Sequence, residues 1–237
     1  SGQDWNGHAD PTVGIGHTRW ATHGGVTITN AHPHTSAEGL VAVVHNGIVE
    51  NYMALRTELS DAGYLFSSET DTEVIAHLIA RCIESGESLV AAVGCAAELI
   101  QGASSFVATS AAEPGVIVGV RLGNAGGVVV GIGDGFNLLA SDVLAILPHT
   151  DLVVYLRSGE VASITASGAE FSDLDGMVIE RAPARISRNI QVAARGDYPY
   201  FMAKEIAEQP EAVSSAMRRR VNFEKGVVDL PELPYTD

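Results

Sequence analysis

From Ser105 to Glu180 the chain is a succession of short apolar runs: Ser105–Ala108, Gly115–Arg121, Val128–Ile132, Asn137–Ala140, Leu152–Leu156, Glu160–Thr165 and Met177–Glu180. Turns rich in Gly or Asp part them. Runs this short, bounded by turn residues and without helices between, belong in antiparallel sheets. The segment Gly131-Ile132-Gly133-Asp134-Gly135 lies between two such runs with no helix following, so it is a turn and not a loop that cradles phosphate.

The first hundred residues have a different texture. Ser1 to Thr12 is polar and without period. Val13–Trp20 is a short strand candidate that runs into the turn Ala21-Thr22-His23-Gly24-Gly25. Leu40–His45 has the composition of a buried strand, stopped by the turn dipeptide Asn46-Gly47. Helical spacing follows over Glu50–Ala62, with Gly63 as its stop, and over Asp71–Ile83, where Val74, Ile75, Leu78, Ile79 and Cys82 share one face and Thr70 or Asp71 stands at the cap. Leu89–Ile100 is a third, alanine-rich helix, and Tyr198–Met217 a last one that Pro210 interrupts. Helices, then many strands, predict an α+β chain: two antiparallel sheets packed face to face with helices covering their outer faces.

Composition narrows the function. A net charge of −15 argues against nucleic acid as a partner, because phosphate binding needs a basic face. No run approaches the roughly 18 apolar residues of a membrane span. Cys82 and Cys95 make neither a disulfide framework nor a zinc site, and both fall on apolar helix faces where cysteine is packing material. The expectation is a reduced, cytoplasmic protein.

Three groups of residues carry chemistry. His17, His23, His32, His34 and His45 crowd into 29 positions, and His32-Pro33-His34 raises the question of a metal. No supporting carboxylate set lies near and the spacing is not that of a zinc protease, so imidazoles that bond loops around a pocket are expected instead, with no metal. Arg19, between a strand run and a glycine turn, offers a planar fork for a carboxylate; a surface ion pair is the plainer alternative. Asp71 at a helix start can face an ammonium or simply cap the helix. An α-amino acid presents both groups. Asn46 and Gly47 supply a side-chain amide and a backbone N–H at a strand end, either an oxyanion hole or an ordinary hairpin turn.

Four stretches in order then carry a resemblance: His17-Thr18-Arg19-Trp20-Ala21-Thr22-His23-Gly24, Asn30-Ala31-His32-Pro33-His34, His45-Asn46-Gly47-Ile48-Val49-Glu50-Asn51 and Ser68-Glu69-Thr70-Asp71-Thr72-Glu73. With Ala140-Ser141-Asp142, Met202-Ala203-Lys204-Glu205-Ile206 and Glu208-Gln209-Pro210, they resemble the glutaminase domain of glutamine–fructose-6-phosphate aminotransferases, the class II, N-terminal-nucleophile (Ntn) amidotransferases. The resemblance implies a four-layer αββα sandwich. It implies that Arg19 holds the glutamine α-carboxylate and Asp71 its α-ammonium. Trp20, Thr22 and His23 would line the pocket, and the Asn46 side chain with the Gly47 N–H would stabilise the oxyanion. L-glutamine is then the substrate, no cofactor is needed, and ammonia passes to a sugar-isomerase domain that converts fructose-6-phosphate to glucosamine-6-phosphate in a homodimer.

The family's nucleophile is an N-terminal cysteine whose own α-amino group, with a pKa of about 7.7–8, is the base. Here Ser1-Gly2-Gln3-Asp4 matches the loop just before the Arg19 motif. The expectation is a glutaminase domain over 1–217 without its front strands, a linker over 218–237 towards the isomerase domain, and no activity in this chain alone, since Ser1 lacks a strand to deliver it to the site. Two alternatives stay open. One is a non-catalytic relative that binds glutamine. The other is the glutaminase domain of another class II enzyme such as amidophosphoribosyltransferase, against which the complete Arg19 motif and the Lys204-Glu205-Ile206 stretch argue.

Overall fold

The computed structural model describes residues 12–186, 196–218, 220–222 and 225–228. The chain divides into two units, Ser1–Ile186 and Ser187–Asp237.

The first unit is built on β2 (Val41–Gly47), which pairs on one side with β1 (His34–Thr35) and on the other with β3 (Ser104–Ser110). β4 (Ile117–Leu122), β8 (Glu160–Ile164) and β9 (Ala169–Asp173) extend the sheet to six strands in the order β1-β2-β3-β4-β8-β9, every pair antiparallel. A second antiparallel sheet contains β5 (Val129–Ile132), β6 (Asn137–Ala140), β7 (Leu152–Tyr155) and β10 (Ala184–Arg185), in the order β10-β7-β5-β6. Six of the seven runs expected as strands beyond Ser105 fold as β3 to β8, whereas β9 and β10 form where no run was expected.

Period-two alternation decides which side chains face which layer. Val43, Phe106, Ala108, Val118, Val120 and Val161 join one core with α1 (Tyr52–Asp61), α2 (Thr72–Glu84) and α3 (Leu89–Leu99). The other face of the large sheet meets the small sheet through Val128, Val130, Val154, Ala162, Ile164 and Phe171. Val129, Ile146 and Val153 form a third cluster with Val143 and Ile186, so a 3-10 turn at Val143–Ala145 packs on the outer face of the small sheet. Each aliphatic side chain taken fully out of water contributes roughly 1.5–3 kcal/mol, and α2 alone buries Val74, Ile75, Leu78 and Ile79 completely.

The second unit contains α4 (Phe201–Met217) and a two-stranded pair, β11 (Val221–Asn222) with β12 (Val227–Val228), within the stretch expected to be linker. Pro210 does not interrupt α4: it removes one N–H, whose partner would be the Ile206 carbonyl, without ending the helix.

Other local expectations change as well. Val13–Trp20 has no regular structure, and Arg19 takes a φ of +52°, which no strand continues through. Met177–Glu180 makes one bridge, Ser172 with Val178, and turns back through Asp173, whose Oδ1 accepts from the Met177 N–H. Cys95 is exposed, because α3 is apolar nearly all round and its spacing cannot say which face turns inward; Cys82 is half-buried against the first core.

Candidate functional site

Asn46 and Gly47 are not a turn. β2 runs through both, opposite Ser105 and Ser104 of β3. Gly47 has a φ of +139°, and a Cβ there would lie 2.5 Å from the Ala103 carbonyl oxygen, so only glycine closes this strand end. The loop after β4 crowds the neighbouring side chain: a Cβ on Gly126 would meet the Asn46 amide nitrogen at 2.6 Å. Asn46 is thereby confined at the wall of a small cavity.

Asp71 precedes α2 but does not cap it with its side chain. Its Oδ2 accepts from the Val49 N–H at 2.8 Å, tying the helix start to the end of β2, and the residue is 3% exposed. Its other oxygen, Oδ1, faces His23 Nδ1 at 3.9 Å, and that nitrogen is buried with no hydrogen-bond partner among the described residues. The His23 ring rests edge-on against Tyr52. Oδ1 is the oxygen that can meet a cation.

Arg19 turns to carbonyls rather than to a surface ion pair. Nη1 donates to the Gly25 carbonyl at 2.9 Å, and Nη2 to those of His23 at 2.9 Å and Gly24 at 3.3 Å, so the guanidinium organises the turn it precedes. Trp20, 88% exposed, stands at the rim.

All seven residues singled out by sequence (Arg19, Trp20, Thr22, His23, Asn46, Gly47 and Asp71) line one cavity of about 290 Å³, together with His17, His32, His45 and Thr72. That volume is at the small end of ligand cavities, roughly 300–1,000 Å³, and suits a single small metabolite.

The imidazoles around the cavity bond hydroxyls and pack on one another's faces. Thr72 Oγ1, which sequence reasoning missed, lies 3.1 Å from His32 Nε2 and 3.0 Å from His45 Nδ1, and His45 Nε2 lies 3.1 Å from Ser104 Oγ. His34 Nε2 meets Thr70 Oγ1 at 3.0 Å, and the His32 ring packs on His17 and His34. Burial, reinforced by His17, His34, His45 and Arg19, drives His32 down to about 3. Burial takes His45 down to about 4 against the opposing pull of Asp71. Both are neutral at pH 7, so each ring has one donor and one acceptor nitrogen for this hydroxyl chain. Among the described residues no group of three His, Cys, Asp or Glu side chains is arranged to hold a metal ion.

Glu73, in the first turn of α2, is another residue the sequence did not single out. It is buried, and burial alone would raise its pKa. His77, whose Nε2 lies 3.7 Å away, and the N–H and hydroxyl groups of Ser67 and Ser68 at 2.5–2.9 Å overcome that and hold it down at about 2. This carboxylate fixes the segment that leads into Asp71. An acidic residue at the start of a strongly apolar helical stretch was the available signal.

Comparison with known proteins agrees with the geometry. The family model described as "Glutamine amidotransferase domain" matches residues 1–173. The glutamine–fructose-6-phosphate aminotransferase (isomerizing) of Methanothermobacter thermautotrophicus is 46% identical over 206 residues, covering 87% of this chain and 34% of the relative. That of Symbiobacterium thermophilum is 45% identical over 221 residues, covering 93% and 36%. The chain therefore spans about a third of the length of the curated relatives it matches. Among solved structures, one described as the allosteric regulatory enzyme of purine biosynthesis superposes with a TM-score of 0.54 at 27% identity, covering 67% of this chain and 34% of that one. The glutamine phosphoribosylpyrophosphate amidotransferase from B. subtilis, complexed with ADP and GMP, superposes with a TM-score of 0.55 at 23% identity over 68% and 35%, a likeness of fold. The two packed antiparallel sheets are those of the Ntn amidotransferases, and with the family match running from residue 1 to residue 173 the chain belongs to the glutamine amidotransferase domain family.

Proposed function

We propose that this domain binds L-glutamine in the 290 Å³ cavity and directs hydrolysis of its side-chain amide, as the glutaminase part of a glutamine–fructose-6-phosphate aminotransferase. The observation that carries the reading is the convergence on one small cavity of a guanidinium (Arg19), a carboxylate with one uncommitted oxygen (Asp71) and an amide beside a glycine N–H (Asn46, Gly47). A cation and an anion recognise the two ends common to every α-amino acid, and the amide donors await the oxygen that becomes negative when a nucleophile adds to the side-chain carbonyl. Trp20, Thr22 and His23 complete the wall.

On the family resemblance the attacking group is a cysteine thiol with its own α-amino group as base; ammonia leaves, and water then releases glutamate from the thioester. Cys82 and Cys95 stand on α2 and α3, outside the cavity lining. Ser1, with the rest of 1–11, lies outside the described residues. The ammonia is delivered to a sugar-isomerase domain for synthesis of glucosamine-6-phosphate, with 218–237 as the connection and a homodimer formed through the isomerase half. Relatives that carry the fructose-6-phosphate name are 45–46% identical, against 23% for the phosphoribosylpyrophosphate enzyme, which favours the sugar acceptor. Among the described residues no helix is long and apolar enough to cross a membrane.

Calorimetric titration of the chain with L-glutamine tests the proposal. Saturable binding that Arg19→Lys and Asp71→Asn each weaken is expected; no saturable heat in the unmodified chain overturns it.

A further inference from the structure

Two anchors that grip opposite ends of one small molecule must keep a fixed spacing, yet Arg19 and Asp71 belong to loops far apart in sequence. The structure contains a direct link between those loops. Asn30 is 2% exposed although it lies in an irregular stretch. Its Oδ1 accepts from the Glu69 backbone N–H at 2.9 Å, and its Nδ2 donates to the Glu69 carboxylate at 3.1 Å. One side-chain amide thus engages both the main chain and the side chain of a residue 39 positions away. Nδ2 also donates to the Gly25 carbonyl at 3.1 Å. Only one orientation of the amide satisfies all three contacts, which fixes its oxygen and nitrogen.

Each end of this link terminates in an anchor. The Gly25 carbonyl that accepts from Asn30 also accepts from Arg19 Nη1 at 2.9 Å. The Gly25 N–H lies 3.5 Å from the same Glu69 carboxylate oxygen. At the other end, Glu69 is two residues ahead of Asp71. The segment before it is pinned by Glu73 through Ser67 and Ser68, and the residue after it by the Thr70–His34 contact. The continuous path is Arg19 guanidinium, Gly25 carbonyl, Asn30 amide, Glu69, then the 70–71 backbone that presents the Asp71 carboxylate.

We propose that Asn30 and Glu69 form a clasp that sets the spacing between the Arg19 and Asp71 anchors, making both positioning residues for an α-amino acid. The inference rests on the glutamine reading of the cavity. The clasp orders the two loops before the ligand arrives, so their ordering is not charged against affinity. Neither side chain is required to touch the ligand.

The perturbation follows from the chemistry. Asn30→Asp keeps the size, removes the Nδ2 donor and sets a carboxylate against that of Glu69. Glu69→Gln alone keeps an acceptor for Asn30 and is the milder change. When the two are combined, the new amide at position 69 can donate to the new carboxylate at position 30. The like-charge contact then disappears, while the Gly25 carbonyl still lacks its side-chain donor from position 30. The full chain is titrated with L-glutamine as unmodified protein, Asn30→Asp, Glu69→Gln and the double variant, and backbone hydrogen exchange is followed in each. Asn30→Asp is expected to weaken L-glutamine by about tenfold or more, the worth of one or two buried hydrogen bonds. The double variant is expected to recover about threefold of that, the sign of direct coupling between the two positions. Exchange should quicken at 23–25 and 69–71 while α2 stays protected. A residue that merely supports folding would instead lower protection throughout and show no rescue.

Binding by Asn30→Asp within about twofold of the unmodified chain, or a double variant no better than the single one, overturns the proposal. If Asn30→Asp fails to fold, Glu69→Ala, which removes the acceptor that Asn30 Nδ2 and the Gly25 N–H share, carries the test, with faster exchange at 23–25 expected and unchanged exchange refuting the clasp. Failure of the glutamine reading is separate: it shows as absence of binding by the unmodified chain, in which case the exchange pattern alone decides whether the clasp orders the two loops.

Discussion

Replacing Asp71 with asparagine removes a charge while keeping an acceptor in nearly the same place, so it separates the bond this carboxylate makes from the charge proposed to meet the ligand. Oδ2 holds the Val49 N–H at 2.8 Å, and an amide oxygen can do the same. Oδ1, with His23 Nδ1 at 3.9 Å, is the oxygen proposed to meet the ligand ammonium. Two unit charges about 4 Å apart at an effective dielectric of about 20 interact by about 4 kcal/mol. Water displaced from the cavity takes back part of this, and hydrogen bonds to charged groups contribute about 1.5–3 kcal/mol net. Asp71→Asn should therefore weaken L-glutamine by about 10- to 150-fold, at about 1.4 kcal/mol per tenfold. Stability should change by less than about 1 kcal/mol, because the Val49 N–H keeps its partner. Asp71→Ala is the contrast: it strands a buried N–H, costs about 1–3 kcal/mol, and lowers Tm by several degrees in a domain of this size, about 2–4 °C per kcal/mol. Calorimetric titration reads the first effect and thermal unfolding the second. If Asp71→Asn bound L-glutamine within about twofold of the unmodified chain, the ammonium role would be wrong. If it melted as low as Asp71→Ala, the asparagine would not be holding Val49, and its effect on binding could not be assigned to charge.

Arg19→Lys should weaken L-glutamine by more than about tenfold, because a point charge cannot replace a fork that also holds the 23–25 carbonyls; titration heats equal to those of the unmodified chain would refute this. In a protein joined to the attacking cysteine, Asn46→Ala should lower kcat for ammonia release by about 10²–10³ with KM little changed, and an effect on KM alone would remove Asn46 from the oxyanion site. Gly47→Ala places a Cβ 2.5 Å from the Ala103 oxygen at a φ of +139°, so urea unfolding should show a loss of about 2 kcal/mol or more. The pH dependence has a definite sign. His32 and His45 titrate near 3 and 4 when folded but near 6.5 when unfolded, so the unfolded chain binds protons first as pH falls. Stability is full above about pH 6.5 and declines towards pH 4; Glu73, depressed to about 2, adds a further loss from about 4.5 downward. The urea midpoint followed between about pH 7 and 4 should slope less in His32→Gln, and an identical slope would remove His32 from the titration.

Much of the architecture is legible in the chain itself. Turn residues delimit β2 to β8, and period-3.6 spacing finds α2 with its buried face, because backbone geometry and burial act on near neighbours. Seven of the residues that line the cavity are legible too, as members of the ordered motifs. The orientation of each group is another matter. Asp71 stands where a helix cap belongs, and local pattern cannot tell a cap from a carboxylate that bonds Val49, 22 residues back. Asn46-Gly47 has the composition of a hairpin turn and becomes a strand end because β3 pairs with it. Cys95 turns outward on a helix apolar on most sides. Thr72, Ser104, Asn30 and Glu69 acquire their places from partners 27 to 59 residues distant. Sequence alone determined most of the helices and strands, the buried face of α2 and the chemical groups available to the site, since these are written in local periodicity and residue type. The tertiary structure alone decided which oxygen of Asp71 holds Val49 and which amide ties the two loops together, because those follow from hydrogen bonds that close only when distant segments meet.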